Sequence, residues 1–190
     1  MLVGRRAARL PIFLVFLAIG CGSRRATQIP AAAPTTAQAV QLSSSTLNQD
    51  VEAYVVPPLG WTPDLLKKSS RHTHQVWIAP TGSTAYGVMR FSLPLPVGHD
   101  LALWGFLREM KRTQGEAILL TKQWNENLQM LQFVADGGIY RVRVNLIVDG
   151  RRGWAVYAGT RRDREISAPE LELAEIARDH TIVGINAADR

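Results

Sequence analysis

The alternation of apolar and polar residues is clearest at 139–148, which reads IYRVRVNLIV. A period of two predicts a β-strand with one buried and one solvated face. The predicted buried residues are Val142, Val144 and Leu146, and the predicted solvated ones are Arg141, Arg143 and Asn145. Turn signals of the hairpin type flank this strand, at 136–138 (DGG) and 149–150 (DG). With strand-like stretches at 128–135 and 154–160, they predict a three-stranded antiparallel meander over 128–160.

A period near 3.6 appears twice and predicts two helices. The first spans 100–113, with Asp100 as N-cap and Gly115 just beyond the end. The second begins at Ser167-Ala168-Pro169-Glu170, a capping-box pattern, and runs to about Asp179. Shorter strands are predicted by β-branched and aromatic residues between turn residues. They lie at 52–56, 74–79, 85–93, 117–124 and 181–185.

The order of strands, helix, antiparallel strands, helix and strand predicts an α+β fold, in which helices flank an antiparallel sheet. Trp77, Trp104 and Trp154 fall on predicted buried faces and are expected in the core. The length of 190 residues allows one such domain, predicted over 47–190, preceded by a targeting segment.

The beginning of the chain has a different pattern. Three arginines lie within residues 5–9, and 10–20 is an uninterrupted apolar run. Such a run is too short to span a bilayer, which takes about 20 residues, but is typical of an export signal. Residues 21–46 are rich in Ala, Thr, Ser and Pro and carry no aromatic side chain, which predicts a flexible linker.

The stretch LAIGC at 17–21 resembles the lipobox of bacterial lipoproteins, with Ala18 where Leu is usual. The resemblance implies that residues 1–20 are a lipoprotein signal peptide. It also implies that the sulfur of Cys21, the only cysteine of the chain, receives a diacylglyceryl group and that Cys21 becomes the first residue. The protein would then be anchored to the cell membrane or the outer membrane, with its domain on the extracytoplasmic side.

The net charge of +6 overstates the basicity of such a mature protein. Three arginines and no acidic residues precede Cys21, so 19 basic and 16 acidic residues remain after cleavage. The two basic groups, Arg151-Arg152 and Arg161-Arg162-Arg164, are predicted at opposite ends of the meander. A nucleic-acid-binding surface is therefore not expected.

A second resemblance follows from the order of elements and from VVPPLGW at 55–61, where a strand leads through proline to Gly-Trp. Both are similar to the PsbP-like superfamily, from about Asp50 to Ile185. That superfamily includes photosystem extrinsic subunits, a Ran-GTPase-binding factor, type VI secretion chaperones and lipoproteins of the DcrB and LpqN kind. The resemblance implies an α/β/α sandwich that binds partners rather than catalyses a reaction, and it supplies no active site to transfer.

Candidate chemistry is sparse. His72 and His74 would share one face of a strand and could ligate a metal, but the sequence places no third ligand beside them. No Gly-x-Ser-x-Gly motif and no glycine-rich phosphate loop occurs. We therefore expect no catalytic, metal-binding or cofactor-binding residues. Trp61, after a turn, and Trp124, at a strand end, are the candidates for contact with a partner.

The expected function is that of a non-catalytic, membrane-anchored lipoprotein that binds an unidentified envelope protein. Two alternatives remain open: a module that binds a small apolar ligand between sheet and helix, and a metal-assisted hydrolase that uses His72 and His74. An exposed apolar surface would favour the first function, a deep pocket the second, and converging titratable groups the third.

Overall fold

A computed structural model describes residues 42–64, 66–69 and 71–184. The predicted signal peptide, Cys21 and most of the predicted linker lie outside these residues. The described chain is ordered as β1 (Thr46–Asn48), β2 (Ala53–Val55), β3 (Thr62–Pro63), β4 (Lys67–Lys68), β5 (His72–Ile78), β6 (Thr84–Ser92), α1 (His99–Gln114), β7 (Ala117–Asn125), β8 (Met130–Gly137), β9 (Tyr140–Asp149), β10 (Arg152–Arg161), α2 (Ala168–His180) and β11 (Ile182–Val183).

A large antiparallel sheet carries the fold. Its strands follow the order β3-β5-β6-β10-β9-β8-β7, and β4 pairs with β5 beside β3. The predicted meander is confirmed, because β8, β9 and β10 are consecutive and antiparallel. Gly150 lies in the β9–β10 turn with a φ of 58°, a left-handed conformation that glycine adopts at little cost.

A second, three-stranded sheet joins the two ends of the domain. It has the order β1-β2-β11, so that the first strand after the linker and the strand after α2 meet on β2. The strands predicted at 52–56 and 181–185 are present over their central residues, as β2 and β11. The sequence did not predict that they belong to a separate sheet. Backbone pairing with the domain is also present before the predicted boundary at Leu47, because Leu42 pairs with Pro58 and Ser43 donates to the Pro57 carbonyl.

The helices lie on opposite faces of the large sheet, which makes the fold α+β. Ala174 and Ala177 of α2 pack with Tyr86 and other residues of one face. On the other face, α1 packs through Leu103 and Met110. The buried set predicted for β9 is confirmed, since Val142, Val144 and Leu146 all lie in the α1-side cluster.

The solvated face predicted for β9 is partly wrong, because α2 covers it. Asn145 is buried and donates to the Asp179 carboxylate of α2 at 3.0 Å. Arg143 binds the Glu175 carboxylate on the same helix. Trp77 and Trp154 are buried as predicted. Trp104 is not, since 58% of it is exposed on the outer side of α1.

The predicted N-cap position is wrong for α1 and confirmed for α2, but neither helix has a side-chain capping hydrogen bond. Gly98 takes the N-cap position of α1, and the Asp100 carboxylate accepts from Lys122 Nζ of β7 at 2.8 Å. Ser167 is the N-cap residue of α2, but its side chain makes no capping hydrogen bond. Glu170 accepts instead from Thr81 Oγ1, at 2.5 Å, so it fastens α2 to the β5–β6 turn. Gly115 ends α1 in a left-handed conformation, as predicted.

Candidate functional site: a groove beside α1 and an apolar edge strand

The two helices cover different parts of the sheet. α1 packs mainly on β7, β8 and β9, whereas α2 packs mainly on β10 and β6 from the other face. The α1 side of β5 and β6 therefore has no helix over it. Three adjoining cavities, of about 610, 400 and 340 Å³, fill this space between α1 and β5. We call them together the groove.

Two aromatic rings that lie over glycines form the floor of the groove: Tyr157 and Phe91. Gly87 of β6 pairs with Tyr157 of β10, and Gly153 of β10 pairs with Phe91 of β6. A Cβ atom at either glycine would come within 2.4 Å of the partner's aromatic ring. Each ring therefore rests directly on the backbone of the neighbouring strand.

One part of the groove is mainly apolar. Met89 and Phe106 line both the largest cavity and the 340 Å³ cavity, and so connect them. Phe106 projects from α1 and meets Phe133 of β8 edge-on, at a centroid distance of 5.4 Å. Leu93 and Pro94, after β6, add apolar surface at the end of the largest cavity.

The opposite end of the groove is cationic. Lys67, Arg161 and Arg164 line the 400 Å³ cavity together with the Asp64 carboxylate. The Arg161 guanidinium donates two hydrogen bonds to the Asp163 carboxylate, at 2.9 and 2.6 Å.

His74 lies between these two ends. Its Nε2 lies 2.5 Å from the Tyr157 hydroxyl, and both side chains are largely shielded from solvent. Burial, with a further contribution from the Lys67 charge, lowers the pKa of His74 to about 4. Burial also raises the pKa of Tyr157. At neutral pH the imidazole is therefore neutral and shares one hydrogen bond with the phenol, whose direction is set by the imidazole tautomer.

His72 and His74 do face the same side of β5, but they bind different groups. His72 Nδ1 lies 3.0 Å from Ser69 Oγ, in the segment that leads into β5. Across 42–64, 66–69 and 71–184, no three His, Cys, Asp or Glu residues form a group that could hold a metal ion. His99 and His180 lie elsewhere, at the start of α1 and at the end of α2.

The edge strand β7 carries a second surface. In the described sheet β7 pairs with β8 alone, so its outer backbone edge has no strand partner. A register shift between Leu119 and Thr121 forms a bulge at Leu120. Large apolar side chains are exposed along β7 and the turn after it, and we call them the edge surface: Ile118, Leu119, Leu120, Trp124 and Leu128.

Contacts with α1 hold the edge surface in place. The His99 ring meets the Trp124 ring edge-on at a centroid distance of 4.6 Å. The hydrogen bond from Lys122 to Asp100 lies beside it and lowers the pKa of the Asp100 carboxyl. Lys122 is the only charged side chain of β7, and this bond occupies it. The strand therefore presents an apolar and nearly uncharged surface.

The two tryptophans predicted to contact a partner have different positions. Trp124 is 39% exposed and belongs to the edge surface. Trp61 is 8% exposed and packs in the α2-side core, where it follows a turn closed by its own N–H and the Pro58 carbonyl. Sequence reasoning missed the groove. The one sequence feature that could have indicated the groove is the presence of glycines inside strand-like stretches, since such glycines mark places where a neighbouring group approaches the backbone closely.

No protein-family model matches the chain, and the curated proteins include no significant match to it. Within the described part of the chain, none of the helices is both long and apolar enough to cross a membrane.

Proposed function

We propose that this protein is a lipid-anchored envelope lipoprotein whose domain binds another envelope protein without catalysing a reaction. The observation that carries the proposal is the edge surface. Five of the nine residues of β7 are apolar, and an edge strand with exposed apolar side chains invites association through its backbone groups and its side chains. In this protein the only charge on the strand is already paired with Asp100.

The anchor is proposed from the lipobox. A diacylglyceryl group on Cys21 would hold the protein to the cell membrane or the outer membrane, since acyl chains contribute about 0.8 kcal/mol per buried methylene. A linker from Cys21 to the domain would give the domain reach while keeping its concentration high near other membrane proteins. The α+β architecture with one helix on each face is compatible with a PsbP-like sandwich, which we propose as the finer class of the fold.

Cross-linking in intact envelopes tests the docking. A photoreactive amino acid at Leu120 should give one defined adduct, and the same amino acid at Ile166, an exposed apolar residue outside the edge surface, should not. Trp124→Glu should abolish the Leu120 adduct, whereas Ile166→Glu should leave it unchanged. Equal labelling from both positions, or an adduct that persists in Trp124→Glu, would contradict docking through this surface.

A second function, the binding of a small apolar ligand, is favoured by one specific feature, the groove. It concerns a different face of the protein and is developed next.

A further inference from the structure

The groove has the size of a small-molecule site. Its three adjoining cavities each fall within or near the range of about 300–1,000 Å³ that is usual for ligand pockets. Lys67, in the cationic end, pairs with His74, and His74 pairs with Met89, in the apolar end, so the backbone at Lys67 and at Met89 is separated by two strand spacings, or about 10 Å. An occupant that used both ends would therefore be elongated.

The surface of the apolar end is mostly apolar, although Arg71, Glu109 and Arg151 also line it. Met89, Phe91 and Phe106 supply the apolar side chains, and Gly105 of α1 borders the cavity. A Cβ atom at Gly105 would meet no atom within 4 Å. The missing side chain at this exposed position therefore leaves open space beside the cavity, which a methylene chain can occupy.

The charges of the groove select the sign of the head group. Six basic side chains and two acidic ones line the three cavities: Arg71, Arg112, Arg151, Lys67, Arg161 and Arg164, against Asp64 and Glu109. Arg112 is paired with Glu109, and Arg161 with Asp163. In the end opposite the apolar cavity, Arg164 donates to the neutral Thr81 carbonyl, and Lys67 forms only a long ion pair with Asp64, at 3.8 Å.

The chain between Cys21 and the domain does not complement the charge of the groove. Residues 22–41 include Arg24 and Arg25 and no acidic residue, so their charge has the same sign as the groove.

We propose that the groove binds an elongated small amphiphile, with its anionic head group at Lys67 and Arg164 and its apolar tail on Met89, Phe91 and Phe106. Tyr157, whose hydroxyl already binds His74, supplies the aromatic floor between the two ends. This site lies on a different part of the molecule from the edge surface, and the inference does not depend on the docking proposal.

Calorimetric titration of the full chain carrying Cys21→Ser, which leaves it unlipidated, tests the site. The probes are decanoate, decanol and inorganic phosphate, each below any concentration at which it aggregates. Decanoate should bind at one site per chain, decanol at least tenfold more weakly, and phosphate without detectable heat. No decanoate binding, or equal affinity for decanol, would overturn the proposal. Phosphate binding as strong as decanoate binding would show an anion site alone and would also overturn it.

Two pairs of variants locate the ligand. Gly105→Leu should fill the apolar end and weaken decanoate binding at least tenfold, while Gly105→Ala, which adds only a methyl group to the same helix, should bind nearly as the parent does. Lys67→Glu combined with Arg164→Glu should weaken decanoate binding at least tenfold and leave decanol unchanged. The matched control is Lys68→Glu with Arg162→Glu, which makes the same charge change at neighbours outside the groove lining. Unchanged affinity in Gly105→Leu, with an unchanged circular dichroism spectrum, would refute the placement of the tail.

Discussion

The Tyr157 hydroxyl and the His74 Nε2 lie 2.5 Å apart, and they join β10 to β5 across the intervening strand β6. Gly87 of β6 lies between them, and because it has no side chain the Tyr157 ring can pass directly over its backbone. One small residue thus allows a hydrogen bond between two strands that are not neighbours. This arrangement shapes the groove floor and holds the His74 ring where its shielding from solvent keeps it neutral at neutral pH.

The stability of the fold should decrease on mild acidification because of His74. Its pKa is lowered from 6.5 to about 4, by burial first and then by the positive charges of Lys67 and His72, with Asp64 acting in the opposite direction. Between pH 6.5 and 4 the unfolded chain binds more protons than the folded one, so the free energy of unfolding falls as the pH falls. The full effect is about 3 kcal/mol.

Urea unfolding at pH 7 and at pH 4.5 measures this change. In the variant His74→Gln, the free energy of unfolding should differ less between the two pH values than in the parent, because glutamine does not titrate. The same difference in the parent and in His74→Gln would show that other groups cause the acid sensitivity.

The glycine under Tyr157 should tolerate no side chain. Gly87→Ala places a Cβ atom 2.4 Å from the ring, and we expect the free energy of unfolding to fall by about 1–3 kcal/mol, as for overpacked cores. Gly159→Ala is the matched control on β10, since its Cβ would lie 3.5 Å from Val142, an ordinary contact. That variant should change stability by less than about 0.5 kcal/mol. Equal effects in thermal or urea unfolding would argue against the close approach at Gly87.

Glu170 should stabilise the protein through Thr81 rather than through the start of its own helix. The Glu170 carboxylate accepts from Thr81 Oγ1, and Ser167 makes no side-chain cap. Either Glu170→Gln or Thr81→Ala should cost about 1 kcal/mol, and the double variant should cost little more than one alone. Ser167→Ala should cost less than about 0.5 kcal/mol. Additive losses in urea unfolding would mean that the two side chains act separately.

Replacement of the lone cysteine should abolish anchoring. Cys21→Ser removes the sulfur that would carry the diacylglyceryl group, so we expect an unprocessed or poorly exported chain that carries no acyl chains. The intact mass of the protein extracted from its native membranes is the measurement, and the parent should begin at Cys21 with added lipid. A parent chain that keeps Met1 and an unmodified Cys21 would refute the lipoprotein interpretation.

The local sequence pattern was sufficient to predict those elements whose conformation depends on neighbouring residues in the chain. The meander followed from alternation in β9 and from the Asp-Gly turn before Arg151, and the end of α1 followed from Gly115. Local pattern misled where a distant element supplied the partner. Asp100 and Glu170 both read as capping residues, but the fold brings Lys122 to one and Thr81 to the other. Asn145 read as solvated because the sequence does not state that α2 crosses that part of the sheet.

By itself, the sequence predicted an α+β domain and a stretch that resembles a lipobox, because hydrophobic period, turn residues and a short motif are local properties of the chain. Only the tertiary structure decided that α1 and α2 lie over different strands, which leaves the groove beside α1, and that β7 forms the edge of the sheet. Trp61 and Trp104 illustrate the reason. Both are large aromatic residues, but one is buried and the other is exposed, since burial depends on which surfaces meet across the sheet rather than on the residues next to them in the chain.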